Sequence, residues 1–226
     1  MNKQSNPIND EMWEAYNRFH YLCDTHRFQK LVSRVELVRM ITDVPGDIVD
    51  AGAFKGISTI QFAHLLQAYQ PNSRSKVISF DTFDSSFPRL RPDETKAAKT
   101  LMDDYEETAL KQLTEAIEGL GLESRISIIN GDIVDTFPKY VAENLGFRIS
   151  LLPCDLDVYE PTLNTLETAW PRIVPGGLVV FDEYAVEDWG ESDAADEFFK
   201  TLSNPPRLKQ LPNSPTPTAF CVKGED

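Results

Sequence analysis

Cysteine is scarce in this chain: three among 226 residues, at positions 23, 154 and 221. An odd number so widely spaced excludes a disulfide framework and a cysteine-based zinc site, and fits a reducing compartment. Histidine is as scarce. His20, His26 and His64 are too few and too scattered for a histidine-rich metal centre. No apolar run approaches the ~20 residues that cross a bilayer, and Met1 to Pro7 hold nothing like the apolar core of a secretory signal. A cytoplasmic location without a membrane partner is therefore expected. Basic charge is lacking too. Lysine and arginine number 22 against 36 aspartates and glutamates, a formal net charge of −14, which gives no counterion-release drive toward nucleic acid or anionic lipid.

What is present suits one globular domain. Hydrophobic residues make up 41% and charged residues 26%, enough for a sizeable core. Helical spacing of Trp13, Tyr16, Phe19 and His20, then of Leu31, Val35, Val38 and Ile41, predicts a helical segment over residues 1–45, closed by Pro45-Gly46. From residue 46 to 226 the pattern alternates between strands and helices. Strands are expected at Asp47–Asp50, Lys76–Phe80, Arg125–Ile129, Phe147–Leu152 and Gly177–Phe181, with two closing strands near Arg207–Leu211 and Thr218–Val222. The fold class is thus α/β, a doubly wound, Rossmann-like seven-stranded sheet with a reversed last strand. Pro92 to Gly119 is charged and helix-forming, and its acids Asp103, Asp104, Glu106 and Glu107 read as a solvated face.

Ligands in such sheets bind beyond the carboxyl ends of the strands. The first strand runs into Asp50-Ala51-Gly52-Ala53-Phe54-Lys55-Gly56-Ile57-Ser58. The glycines permit close backbone approach, and the helix that follows offers N–H donors to an anion. The middle glycine that admits a dinucleotide pyrophosphate is absent, which makes NAD the weaker reading. A carboxylate-bearing ligand suits the spacing, and S-adenosylmethionine is the candidate, its carboxylate near Lys55, Gly56 and Ser58. Asp81 ends the second strand, where a carboxylate accepts ribose hydroxyls. Gly131-Asp132 follows the third, where Asp132 could accept an adenine amino proton. Singly each is an ordinary turn residue; in order they describe a crevice.

The densest chemistry lies further on, in Asp155-Leu156-Asp157-Val158-Tyr159-Glu160-Pro161-Thr162 and Phe181-Asp182-Glu183-Tyr184. Each acidic group follows an apolar run, so two strand ends would gather up to four carboxylates. Such a cluster repels itself unless a proton or a divalent cation compensates it. The bland alternative is that one acid caps the helix beginning after Tyr159 while the others line a solvated rim.

These segments carry a family resemblance. From about Gly46 to Phe199 the chain resembles the macrocin/mycinamicin/novobiocic-acid type of sugar O-methyltransferase, class I S-adenosylmethionine-dependent enzymes with a helical N-terminal lid. The resemblance rests on the lead-in to the glycine turn, on Phe80-Asp81-Thr82-Phe83-Asp84, and on Gly131-Asp132 through Pro138. Its most specific part is the Asp155 to Thr162 run, continued through Pro175-Gly176-Gly177 to Tyr184 and on to Trp189-Gly190-Glu191. Glu183 stands where the best-known sugar enzymes have aspartate. The resemblance implies methyl transfer to a hydroxyl of a small polar, sugar-like acceptor, and suggests a homodimer. The chemistry of these residue types makes Asp157, Asp182 and Glu183 candidate ligands of a magnesium-type ion and Asp155 the candidate general base. The roles of Asp155 and Asp157 could be exchanged. A catechol-like metal-dependent O-methyltransferase and a non-catalytic methyltransferase-like scaffold are the other readings, with a dehydrogenase third.

Overall fold

The structure, a computed structural model, describes residues 7–102, 109–212 and 215–225. Two helices come first, α1 (Pro7–Leu22) and α2 (Thr25–Met40). Asp24 starts α2 by accepting the Arg27 N–H at 2.8 Å, a side-chain N-cap. The alternation then runs β1 (Asp47–Ala51), α3 (Ile57–Tyr69), β2 (Val77–Asp81), α4 (Thr95–Met102), α5 (Ala109–Leu120), β3 (Ile126–Asn130), α6 (Ile133–Glu143), β4 (Ile149–Cys154), α7 (Tyr159–Ala169), β5 (Ile173–Phe181), α8 (Glu191–Lys200) and β6 (Ala219–Val222). The acidic run from Asp103 to Glu107 lies outside the described residues.

The strands form one sheet in the order β3-β2-β1-β4-β5-β6. The first five are parallel and β6 pairs antiparallel with β5. Parallel strands covered on both faces are buried almost throughout, as β1, β2 and β4 are. On one face Leu37, Val38 and Ile41 of the α2 end pack with Phe62 and Leu66 of α3 and Leu113 of α5. On the other, Phe137 of α6, Leu166 of α7 and Phe198 and Phe199 of α8 cover Val49, Phe80 and Phe181.

The doubly wound sheet with a reversed last strand is as the sequence implies, but one expected strand is nearly lost. Around Arg207–Leu211 the sheet keeps a single antiparallel bridge, Lys209 to Phe220, with both backbone bonds at 2.8 Å. Pro205, Pro206 and Pro212 flank that stretch and have no N–H to extend the ladder. Among the described residues the sheet therefore has six strands. The second helix also ends at Met40, before Pro45, with Ile41 buried as its C-cap. No helix among the described residues is long and apolar enough to cross a membrane.

Candidate active site

The sheet register explains the acidic cluster. Ala51 pairs with Cys154, and Cys154 with Phe181. The next residues on these three neighbouring strands are Gly52, Asp155 and Asp182, so they emerge side by side. The chain winds outward in both directions from β1 and β4, which makes this the topological switch point of the sheet. Gly52 has φ +86°, and a Cβ there would lie 1.8 Å from the Asp155 carbonyl oxygen. Glycine at 52 thus lets the β4 exit pass against the β1 exit. Gly56, with φ +78°, likewise leaves room for the Leu113 side chain. Both glycines make room for the protein's own atoms.

Asp157 sits in the left-handed region at φ +63°, inside a three-residue turn closed by Val158 N–H to Leu156 O at 2.6 Å. Aspartate tolerates that conformation better than most residues, yet the turn stores strain, as functional loops commonly do. Asp157 and Asp182 are buried. Burial, then Glu183 and Asp182, push the Asp157 pKa up to about 7. Burial and the neighbouring Asp182 raise Asp155 well above the usual carboxylate range, and the same two causes raise Glu183.

The cation that compensates this cluster comes from an unexpected element. Lys30 of α2 donates to Asp182 Oδ2 at 2.8 Å and lies 3.9 Å from Asp155 Oδ2. The lysine and Asp182 side chains are 13% and 11% exposed, Asp155 35%. Burial alone would lower the Lys30 pKa, but Asp155 and Asp182 outweigh it and hold it above its ordinary value. Asp155 and Asp182 therefore converge on one positive charge. No three acidic side chains among the described residues are gathered closely enough, as they stand, to hold a metal ion. The donor set itself, hard carboxylate oxygens around a stand-in ammonium, fits a divalent cation.

The opposite side of the same cavity is the glycine turn. Gly52, Lys55, Ser58, Asp81 and Asp132 line it together with the acidic cluster. Its volume of about 1090 Å³ exceeds the usual range for a single small ligand, roughly 300–1,000 Å³, leaving room for two. No side chain caps α3, so its first N–H groups are available to an anion. Asp81 accepts the N–H of Phe83 and of Phe54 at 2.7 and 2.8 Å. Asp50 and Gly56 lie behind the wall. The Asp50 carboxylate takes hydroxyl bonds from Thr59 (2.6 Å) and Ser58 (2.8 Å), which fastens the start of α3 to β1. Asp132 caps α6 through the Val134 N–H and holds the Arg89 guanidinium at 2.6 Å.

A further layer braces the site from behind. Glu94 accepts the Tyr159 N–H at 2.7 Å and so caps α7, a role neither Asp155 nor Asp157 fills. Glu191 is fully buried, with Oε1 accepting the Glu183 N–H at 2.9 Å and Oε2 without a partner among the described residues. A Cβ at Gly190 would meet Glu94 Oε1 at 2.0 Å, which accounts for glycine between Trp189 and Glu191. Trp189 lines the cavity. Cys154 is a buried thiol whose pKa burial raises far above neutrality, a small core hydrophobe rather than a nucleophile.

Comparison with known proteins agrees with this geometry. Residues 15–204 match the model of the family described as Macrocin-O-methyltransferase (TylF). The chain belongs to the macrocin O-methyltransferase family. A 4'-O-methyltransferase of Streptomyces olivaceus that acts on 8-demethyl-8-(2,3-dimethoxy-alpha-L-rhamnosyl)-tetracenomycin-C is 30% identical over 174 residues, 74% of this chain and 64% of that one. Mycinamicin III 3''-O-methyltransferase of Micromonospora griseorubida is 29% identical over 150 residues, 63% of this chain and 57% of that one. The chain thus spans less than two thirds of the length of either relative. Among solved structures, the calicheamicin methyltransferase CalS11 superposes with a TM-score of 0.77 at 27% identity, covering 95% of this chain and 86% of that one. Its apo structure bears the name TDP-rhamnose 3'-O-methyltransferase.

In this macrocin-family chain Asp81 gives the β2 end of the cavity a charge that changes with pH. Burial raises Asp81 to about 6, moderated by the Phe54 and Phe83 N–H groups. An ionised carboxylate accepts hydroxyl hydrogen bonds more strongly than a protonated one. Ligand binding that needs the ionised form weakens as pH falls through the pKa. Affinity for S-adenosylhomocysteine is expected to be about tenfold lower at pH 5 than at pH 7. Calorimetry across that range checks it, and Asp81→Asn should flatten the profile while binding weakly throughout. A wild-type affinity independent of pH would contradict the role of Asp81.

Proposed function

We propose that this protein is an S-adenosylmethionine-dependent O-methyltransferase acting on a sugar hydroxyl. The observation that carries the reading is one cavity lined on one side by the β1 and β2 exits and on the other by the carboxylates at the β4 and β5 exits. Family membership and relatives that methylate sugars support the same conclusion. The α1 and α2 segment, residues 1–45, would act as a lid over the acceptor side, since Phe19, Leu22 and Lys30 line that cavity.

S-adenosylmethionine supplies an electrophilic methyl group on a sulfonium that leaves as a neutral thioether, and a magnesium-type ion would supply charge that acidifies a nearby hydroxyl. The chain's own residues do the rest. The uncapped start of α3, beside Lys55 and Ser58, accommodates the methionine carboxylate, and Asp81 takes the ribose hydroxyls. Asp155 and Asp182 converge on Lys30, so we assign these two, with Glu183, to cation binding. That leaves Asp157 as the base, the exchange of roles which the sequence left open. Asp157 accepts the proton of the acceptor hydroxyl as the oxygen attacks the methyl carbon. The carbon–sulfur bond breaks, and the proton passes to solvent.

Lys30 and a divalent ion would compete for Asp155 and Asp182. Removing one charge so close to another strengthens cation binding by at least tenfold on electrostatic grounds. Lys30→Met is therefore expected to bind Mn²⁺ at least tenfold more tightly than wild type by calorimetry, while Lys30→Arg is not. Equal or weaker binding by Lys30→Met would remove the divalent ion from this account. The function as a whole is tested by offering labelled cofactor to sugar and catechol panels, with and without a chelator. Transfer to sugar hydroxyls is expected. Transfer to vicinal phenols alone would move the protein to the catechol class, and cofactor binding without any transfer would leave a scaffold.

A further inference from the structure

The turn that carries Asp157 is strained, and a strained turn keeps its shape only when its surroundings hold both ends. The β4 end is held by the sheet, where the Asp155 N–H donates to Ala51 O at 2.9 Å. The α7 end has no such support of its own. Val158 stands at the N-cap position and has no polar side chain to cap the helix. Glu94 supplies the missing acceptor from a segment 65 residues away, taking the Tyr159 N–H on Oε1 at 2.7 Å. Its other oxygen, Oε2, accepts the Arg91 N–H at 2.8 Å, which fixes the carboxylate to its own loop. Glu94 is only 2% exposed, and an acidic side chain at that depth is costly unless both oxygens are paired. Gly190 completes the fit: a Cβ there would lie 2.0 Å from Glu94 Oε1 and 2.8 Å from the Tyr159 nitrogen.

Where this carboxylate comes from matters as much as what it holds. Between β2 and α4 the chain first lines the cavity, through Asp81, Thr82 and residues 84–88. It then turns away and ties itself to the start of α7. Arg89 donates to Glu160 at 2.9 Å, the Arg91 guanidinium lies over the Tyr159 ring, and Glu94 takes the Tyr159 N–H. One segment thus reaches from the cofactor side to the residue that follows the Asp155–Val158 turn. Resting on the reading of Asp157 as the base, we infer that Glu94 is a positioning residue for it. Glu94 stands behind the cavity wall and touches neither substrate. It anchors the exit of the turn and so registers the base against the methyl donor. Without the anchor the turn relaxes toward an ordinary conformation, and a displacement of about 1 Å in a reacting group costs roughly 10²-fold in rate.

The test compares Glu94→Gln, which keeps an oxygen for the Tyr159 N–H, with Glu94→Leu, which fills the space and accepts nothing. Gly190→Ala disturbs the same contact from the other side. In the full chain with S-adenosylhomocysteine bound, the Tyr159 amide hydrogen is expected to exchange about tenfold faster in Glu94→Leu and Gly190→Ala than in wild type. The β1 and β4 amides should stay as protected as before. With labelled S-adenosylmethionine and the panel sugar that wild type methylates fastest, Glu94→Leu should lose about 10²-fold in kcat, with KM and S-adenosylhomocysteine affinity unchanged. Glu94→Gln should recover most of that rate. Added to Asp157→Asn, Glu94→Leu should slow turnover no further, because both act through one group. The inference is overturned if Glu94→Leu keeps the wild-type kcat, acts through KM alone, or unprotects β1 and β4 as much as Tyr159. It is also overturned if Glu94→Gln is as slow as Glu94→Leu, or if Glu94→Leu slows Asp157→Asn by the factor seen in wild type. In each of these cases a slow Asp157→Asn leaves the base reading standing. Should Glu94→Leu fail to fold, Gly190→Ala decides on the same two readouts, with wild-type rate and protection as the contrary result. Full turnover by Asp157→Asn would overturn the base and this inference with it, and no transfer to any sugar by wild type would overturn the function as well.

Discussion

Replacing Asp157 by asparagine is expected to lower kcat by about 10²–10⁴, the range for loss of a general base, with cofactor affinity unchanged. Asp157 is buried and feels the charges of Glu183 and Asp182, at a φ of +63° that only a strained turn supplies. Asp155 and Asp182 are already engaged by Lys30. Two readouts separate a base from a ligand. Asp157→Asn should abolish the acid limb of the pH–kcat profile. Asp155→Asn should keep that limb but require more divalent ion for the same rate. The reverse pattern would return the base to Asp155.

Gly52→Ala carries the second large effect, and it acts on stability and activity together. A side chain at this left-handed position is strained in itself, and its Cβ would overlap the Asp155 carbonyl at 1.8 Å. Backbone has no rotamer to yield, so the β4 exit must move. A loss on the order of 3 kcal/mol is expected, which lowers Tm by roughly 6–12 °C for a chain of this size. Turnover should fall by more than about 10²-fold even where the variant is folded, because misplacing a catalytic group by an ångström is enough. Calorimetric Tm and single-turnover rate read the two effects separately. A variant with unchanged Tm and rate would mean that Gly52 does not set the position of Asp155.

The acidic cluster was legible in the sequence because strand ends are. The apolar runs before Asp155 and Asp182 fix where β4 and β5 stop, and in a parallel sheet neighbouring strands end together. The same logic found Asp81 and Asp132. Roles were harder to read than positions. Asp50 looks like a ligand contact by placement, but its carboxylate is consumed by Ser58 and Thr59. The glycines looked like room for a ligand and prove to be room for Asp155 and Leu113. Missed altogether were Lys30, Glu94 and Glu191, each brought to the site by tertiary contact from a distant segment. Lys30 left one faint signal, the i, i+3, i+7 row with Arg27 and Arg34 in an otherwise acidic chain. Glu94 and Glu191 left none, since an isolated glutamate reads as solvated until its burial is known. The near-loss of the strand at Lys209 was signalled by the prolines around it, which the periodicity alone outweighed.

The central claim is that methyl donor and sugar hydroxyl meet in the cavity between the glycine turn and the acidic cluster. A single turnover with [methyl-¹³C]-S-adenosylmethionine and a sugar acceptor, followed by carbon–proton correlation of the product, tests it most directly. The account requires the labelled carbon to be joined through oxygen to one ring carbon of the sugar, in wild type and not in Asp157→Asn. Label on a nitrogen or sulfur atom, or on no acceptor despite bound cofactor, would contradict it.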